Sequence, residues 1–192
     1  MDLYSHIRVL FSMVLGLAVA HLLGGVARIV QHPNKYRVYW VHLVWFVFFF
    51  LYLVHFWWWE FRLSRVTLWT FPLYFFIAIY ATLLYLECTL LFPQELSDYA
   101  GFEDYFYARK NWIFGLIALL MVVDLADTLI KGLKYLKRLG FVYYSRTASL
   151  LVLSIIAIPV KNRWFQSALA NCRCDMRSYA NPGCLLAVRL DV

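Results

Sequence analysis

A chain of 192 residues that is 64% hydrophobic and 20% aromatic, but only 15% charged, lies outside the composition of soluble domains, where charged residues make up about a quarter of the chain. Its formal charge of +7 does not point to nucleic acid, because the basic residues fall in short groups between apolar runs and form no continuous stripe. The composition is that of a membrane protein whose partners are the lipid bilayer and its anionic headgroups.

A helix crosses the hydrocarbon core in roughly 20 predominantly apolar residues. Five runs of about that length occur, over 7–30, 38–59, 66–92, 112–130 and 141–160. They predict an all-α polytopic bundle filling residues 1–165, followed by a polar tail over 166–192 that is expected to be poorly ordered.

In the first run Ser12, Gly16, Ala20 and Gly24 recur every fourth residue, so they stack as a ridge of small side chains where another helix can approach closely, within the chain or between chains. Read instead as a signal peptide, residues 1–20 would end on "AVA". The apolar run continues past that site and Asp2 weakens a basic leader, so the helix is expected to be retained. The separator "QHPNKYR" reads as a solvated turn around Pro33 and Asn34.

The second run carries His42 and His55 and ends in "HFWWWEFRLSR". Tryptophan concentrates where hydrocarbon meets headgroups, because its ring is apolar and its N–H needs a polar partner. Trp57, Trp58 and Trp59 therefore mark a helix end, with Glu60, Arg62 and Arg65 at or beyond the boundary. The third run holds Glu87 and Cys88, and the acidic, aromatic separator after it, "PQELSDYAGFEDYFYARKN", reads as a loop with room for a short interfacial helix around Tyr99, Phe102, Tyr105 and Phe106. Asp124 and Asp127 lie on the fourth run, the basic loop "KGLKYLKRLG" follows, and Arg146 lies on the fifth.

Ionisable groups within spans are the default functional candidates, since each costs about 2.5–3.5 kcal/mol at mid-membrane unless paired or hydrated. A rise of about 1.5 Å per residue places Arg28, His42 and Glu87 in one layer, on the side of the first and third separators. Asp124 and Arg146 share a depth on the other side, with His55 and Asp127 nearer that surface. Two pairs are expected, Arg28 with Glu87 and Asp124 with Arg146. Asp127 can also meet Lys131 one turn later, and Arg28 can snorkel to the surface. Interhelical glue and a proton or ion path both fit these charges.

A haem between His21 and either His42 or His55 is disfavoured by their unequal depths, which leaves hydrogen-bonded histidines and no cofactor. No P-loop, GxGxxG, HExxH or GxSxG occurs, so no residue is assigned a catalytic, cofactor or metal role and the chain is not expected to be an enzyme. In the tail Cys172, Cys174 and Cys184 lack a fourth zinc ligand and read as thiols or one disulfide. The basic fourth loop favours the cytoplasm and the acidic third loop the other side, with Lys35 and Arg37 dissenting. The N-terminus is thus expected in the cytoplasm and the tail outside.

The segments "LFSMVLGLAVAHLLGG" and "YRVYWVHLVWFVFFFLYLVHFWWWEF" resemble a family of small, uncharacterised bacterial polytopic membrane proteins, over residues up to about Phe165. The resemblance implies a bacterial inner-membrane location and a further apolar helix at the end, from which this chain departs after "KNRWFQSALA". A frameshift or divergent end in place of a last span is the expectation, and translating the other reading frames tests it. No activity follows from the resemblance. The expected role is a helix-packing component, a homo-oligomer or an accessory subunit of a partner membrane protein, with a small channel or ion-coupled transporter as the alternative.

Overall fold

The computed structural model describes residues 3–32, 39–60, 63–64 and 69–160. Five helices make up the described chain: α1 (Leu3–Gln31), α2 (Trp40–Glu60), α3 (Phe71–Leu91), α4 (Phe102–Ile130) and α5 (Leu133–Ala157). Each is long and apolar enough to cross a membrane, and no strand occurs among the described residues. The protein is an all-helical integral membrane protein. The tail over 166–192 with its three cysteines, and Lys35, Arg37, Arg62 and Arg65, lie outside the described residues.

Neighbouring ends show that the helices alternate in direction. Phe11 near the start of α1 meets Trp57 near the end of α2, with ring centroids 6.1 Å apart. Glu60 closes α2 beside Lys131 at the end of α4, while Arg28 on α1 reaches Gln94 just beyond α3. One end of the bundle therefore carries Glu60 and Lys131, and the other carries Phe92 and Phe102. Helix α3 packs between α1 and α4, α2 lies across these three, and α5 packs chiefly on α4.

Lipid tails are as apolar as these side chains, so packing and interhelical hydrogen bonds hold the helices together. The inward residues of α1, Phe11, Leu15, Ala18, Leu22, Gly25 and Ile29, are spaced by threes and fours, which makes one continuous stripe along a helix. Trp45, Phe49, Phe106 and Phe114 fill the centre, with Trp45 edge-on to Phe114 at 5.4 Å.

Two loop expectations are corrected. The second half of the third separator is not a separate interfacial helix but the first turns of α4, where Phe102, Tyr105, Phe106, Lys110, Ile113 and Phe114 continue one buried face. Lys110 interrupts the apolar run without ending the helix, because its ammonium donates to the carbonyls of Ile158 (2.9 Å) and Val160 (2.8 Å) at the close of α5. Glu103 and Asp104 in the first turn complement the positive helix end, and Asp104 accepts from the Ala100 amide. The basic fourth loop is likewise largely helical. Residues 133–139 form the first turns of α5, which breaks at Gly140 (φ 67°, ψ −168°) before the spanning part.

Candidate functional site

The polar residues inside the bundle gather into clusters near its two ends. At the Glu60 end, Asp124 of α4 is buried and accepts three phenolic hydroxyls from three other helices. Tyr52 of α2 (3.2 Å) and Tyr80 of α3 (3.0 Å) reach Oδ1, and Tyr143 of α5 (2.9 Å) reaches Oδ2. The Tyr52 and Tyr80 hydroxyls are also 2.8 Å apart, and Thr128 Oγ1 stands 2.9 Å from the Tyr143 hydroxyl while donating to the Asp124 carbonyl. A single carboxylate thus ties four helices together.

The expected ion pair of Asp124 with Arg146 is absent among the described residues. Arg146 lies three residues after Tyr143, and it is the Tyr143 phenol that reaches the carboxylate. The guanidinium instead sits over the Trp59 ring at 5.0 Å and the Tyr143 ring at 5.6 Å, where the π-faces attract the cation. Trp59, the last of the tryptophan run, is therefore half-buried against α5, while Trp57 and Trp58 point outward as the belt reading expects.

Beside Asp124 lies a second cluster. Lys131 Nζ is 2.6 Å from both Glu60 Oε1 and Asp127 Oδ2, and the three side chains are only 4%, 1% and 5% exposed. The Asp127–Lys131 contact one turn apart is the arrangement anticipated from spacing, and Glu60 adds a tie from α2 to α4. Burial alone would lower the Lys131 pKa, but the Glu60 and Asp127 carboxylates outweigh it and hold the ammonium above its ordinary value. Glu60, Asp124, Asp127, Thr128, Lys131 and Tyr143 all face a cavity of about 20 Å³, the order of size that admits one water molecule.

At the Phe92 end the expected Arg28–Glu87 pair is also absent among the described residues. Arg28 Nη1 donates to the Gln94 carbonyl at 2.7 Å, and Glu87 is fully buried on α3. His21 Nε2 donates to the Phe92 carbonyl, 2.7 Å away, so two α1 side chains satisfy carbonyls released where α3 ends. His42 is buried between the Phe92 and Phe102 rings, at 4.8 and 4.9 Å, and His55 donates to the Leu51 carbonyl one turn back. Among the described residues, no group of three or more His, Cys, Asp or Glu is placed to hold a metal ion.

Among the described residues, none packs on the glycine positions of the small-residue ridge. Gly16, Ala20 and Gly24 are exposed and Ser12 is half-buried, and a Cβ added at Gly16 or Gly24 would meet open space. The glycine in close contact is Gly25, one position over, which packs on the Phe92 ring.

Replacing Asp124 with leucine tests the four-helix tie. Tyr52 and Tyr80 keep each other and Tyr143 keeps Thr128, so about one buried hydroxyl loses its acceptor, at a cost of about 1–3 kcal/mol. Thermal unfolding in detergent measures this, and a leucine variant as stable as the parent would remove Asp124 from the framework.

The comparisons with known proteins supply no relative: no protein-family model, curated protein or solved structure matches the chain.

Proposed function

We propose that the protein is a non-catalytic membrane component, a helix-packing or accessory subunit, in a bacterial inner membrane. One observation carries this reading. The polar clusters near the two ends of the bundle bond within the bundle and are separated by an apolar layer. On α2 Trp45 and Phe49 fill the roughly 15 Å of rise between His42 and Tyr52, and on α3 Ala81 and Leu84 fill about 10 Å between Tyr80 and Glu87. Ile113, Phe114, Ile117 and Leu120 of α4 line the same depth. Two buried hydroxyls of α5 border this region: Ser154 donates to its own helix at Leu150, and Thr147 lies one turn from Tyr143. A conducting path needs a file of polar groups or water, and this layer presents aromatic and aliphatic side chains instead.

The outward ridge of Ser12, Gly16, Ala20 and Gly24 supports a role through helix contact, since small residues let helix backbones approach closely in lipid. The bacterial setting rests on the sequence resemblance alone. Proton and monovalent-ion flux into liposomes carrying the purified protein tests the proposal, alongside Glu87→Gln and Asp124→Asn. The expected result is flux no greater than in empty liposomes for all three proteins. Flux in the parent that either substitution abolishes, with the fold intact, would replace this reading with transport.

A further inference from the structure

A lysine ammonium carries three N–H donors, and an ionised carboxylate accepts at both of its oxygens. In the cluster at the Glu60 end, Lys131 uses two of its donors, on Glu60 Oε1 and Asp127 Oδ2. Among the described residues the third donor meets no acceptor, and Asp127 Oδ1, buried on α4, meets no donor. The Lys131 and Asp127 side chains are only 4% and 5% exposed, so bulk solvent does not serve these two groups. An unmatched donor or acceptor in the interior is costly, and more so on a charged group.

Lys131 and Asp127 face the same cavity of about 20 Å³, and its size and lining select the occupant. A cation there would meet the Lys131 ammonium, and an anion would meet the carboxylates of Glu60, Asp124 and Asp127. An organic molecule is too large. Water fits the volume, accepts from an ammonium and donates to a carboxylate. The Thr128 and Tyr143 hydroxyls lie on the same lining, so the two to four polar partners that an internal water needs are within the cavity wall.

We infer that this cavity is a binding site for one internal water, which accepts from Lys131 Nζ and donates to Asp127 Oδ1. Its second hydrogen has acceptors in the Glu60 and Asp124 carboxylates on the same lining. The water therefore joins the Lys131 cluster to the Asp124 cluster, and the polar groups of α2, α3, α4 and α5 at this end become one network. The inference rests on the buried cluster and not on the proposed accessory role. A water held at one end carries nothing across the apolar layer, so the flux result does not bear on it.

Hydroxyl-radical footprinting of the full chain in detergent tests it. An X-ray pulse splits bound water as well as bulk water, and the radicals oxidise the side chains they touch. Phe56 lines the cavity and is buried like Phe49 and Phe114, which do not line it. The expected result is oxidation of Phe56 several-fold faster than of Phe49 or Phe114. On rapid mixing into heavy-oxygen water, the isotope is expected at Phe56 later than at solvent-exposed side chains, because a held water exchanges slowly. Asp127→Leu removes the acceptor and is expected to lower Phe56 oxidation to the Phe49 level. Should that variant not fold, the isotope lag in the parent decides. Equal oxidation of the three phenylalanines in the parent, isotope arriving at Phe56 without a lag, or a folded Asp127→Leu protein that keeps the parent's Phe56 rate would overturn the inference.

Discussion

Replacing Lys131 with methionine lowers the unfolding free energy by about 3–5 kcal/mol, the usual cost of leaving buried charges without their partner. The size follows from burial. Glu60 and Asp127 are almost inaccessible, each bonds Lys131 at 2.6 Å, and methionine offers neither a charge nor a donor in its place. The triple variant Lys131→Met, Glu60→Gln, Asp127→Asn is expected to recover most of the loss, since exchanging a whole buried ionic group for neutral side chains is often close to neutral. Chemical denaturation in detergent, run as a thermodynamic cycle over single and multiple variants, separates pairing from packing. A single-variant loss under about 1 kcal/mol would place the cluster with weak surface pairs.

The same cluster sets an alkaline limit. Its carboxylates hold the folded-state lysine pKa above the ordinary value near 10.5. A raised pKa means that the folded state keeps its proton more tightly than the unfolded state does. The stabilisation from Lys131 is therefore complete below pH 10.5 and is lost as pH rises toward the higher folded-state value. The separation between parent and Lys131→Met in unfolding free energy should narrow as pH rises above about 10.

Gly25→Leu is expected to cost about 1–3 kcal/mol or more, and Gly25→Ala a large part of that, because an added Cβ would fall on the Phe92 ring. Phe92 has little freedom to yield. It is buried against His42, Phe46 and Phe102, and its backbone carbonyl is held by His21. Gly16→Leu and Gly24→Leu, with open space around them, should leave monomer stability within about 0.5 kcal/mol of the parent. Any effect of these two belongs in crosslinking yield. A stability loss at Gly16 equal to that at Gly25 would show that α1 packs in a different rotation.

The contrast also marks how far the sequence could be read. Five spans were legible because an uninterrupted apolar run of bilayer length has few alternatives, and the end of α2 was legible from its tryptophans. The start of α4 was not, since Arg109, Lys110 and Asn111 look like a loop until Lys110 is seen satisfying the close of α5. Charge and depth selected Asp124 but paired it with Arg146, because opposite charges are the simplest partners to match. Tyrosine can act as an apolar body or as a hydroxyl donor. The depths of Tyr52, Tyr80 and Tyr143 could have raised the second role, but only packing assigns it. The ridge on α1 is legible as a line of small residues, yet spacing does not say which side faces inward. That answer comes from Leu15, Ala18, Leu22 and Gly25, whose neighbours lie on other helices.

Helix α5 leans chiefly on α4 and is pinned by Tyr143 near one end and by Lys110 at the other. Synthesis runs from α1 to α5, so α1 to α4 can associate while α5 is still in the ribosome. Over that interval Asp124 already has the Tyr52 and Tyr80 hydroxyls, and the Lys110 ammonium awaits its carbonyls. Helix α5 thus arrives at a surface where one acceptor, on Asp124, and one donor, on Lys110, wait at opposite depths. Its register in the membrane is fixed at both ends on arrival, as a bolt is by its two brackets.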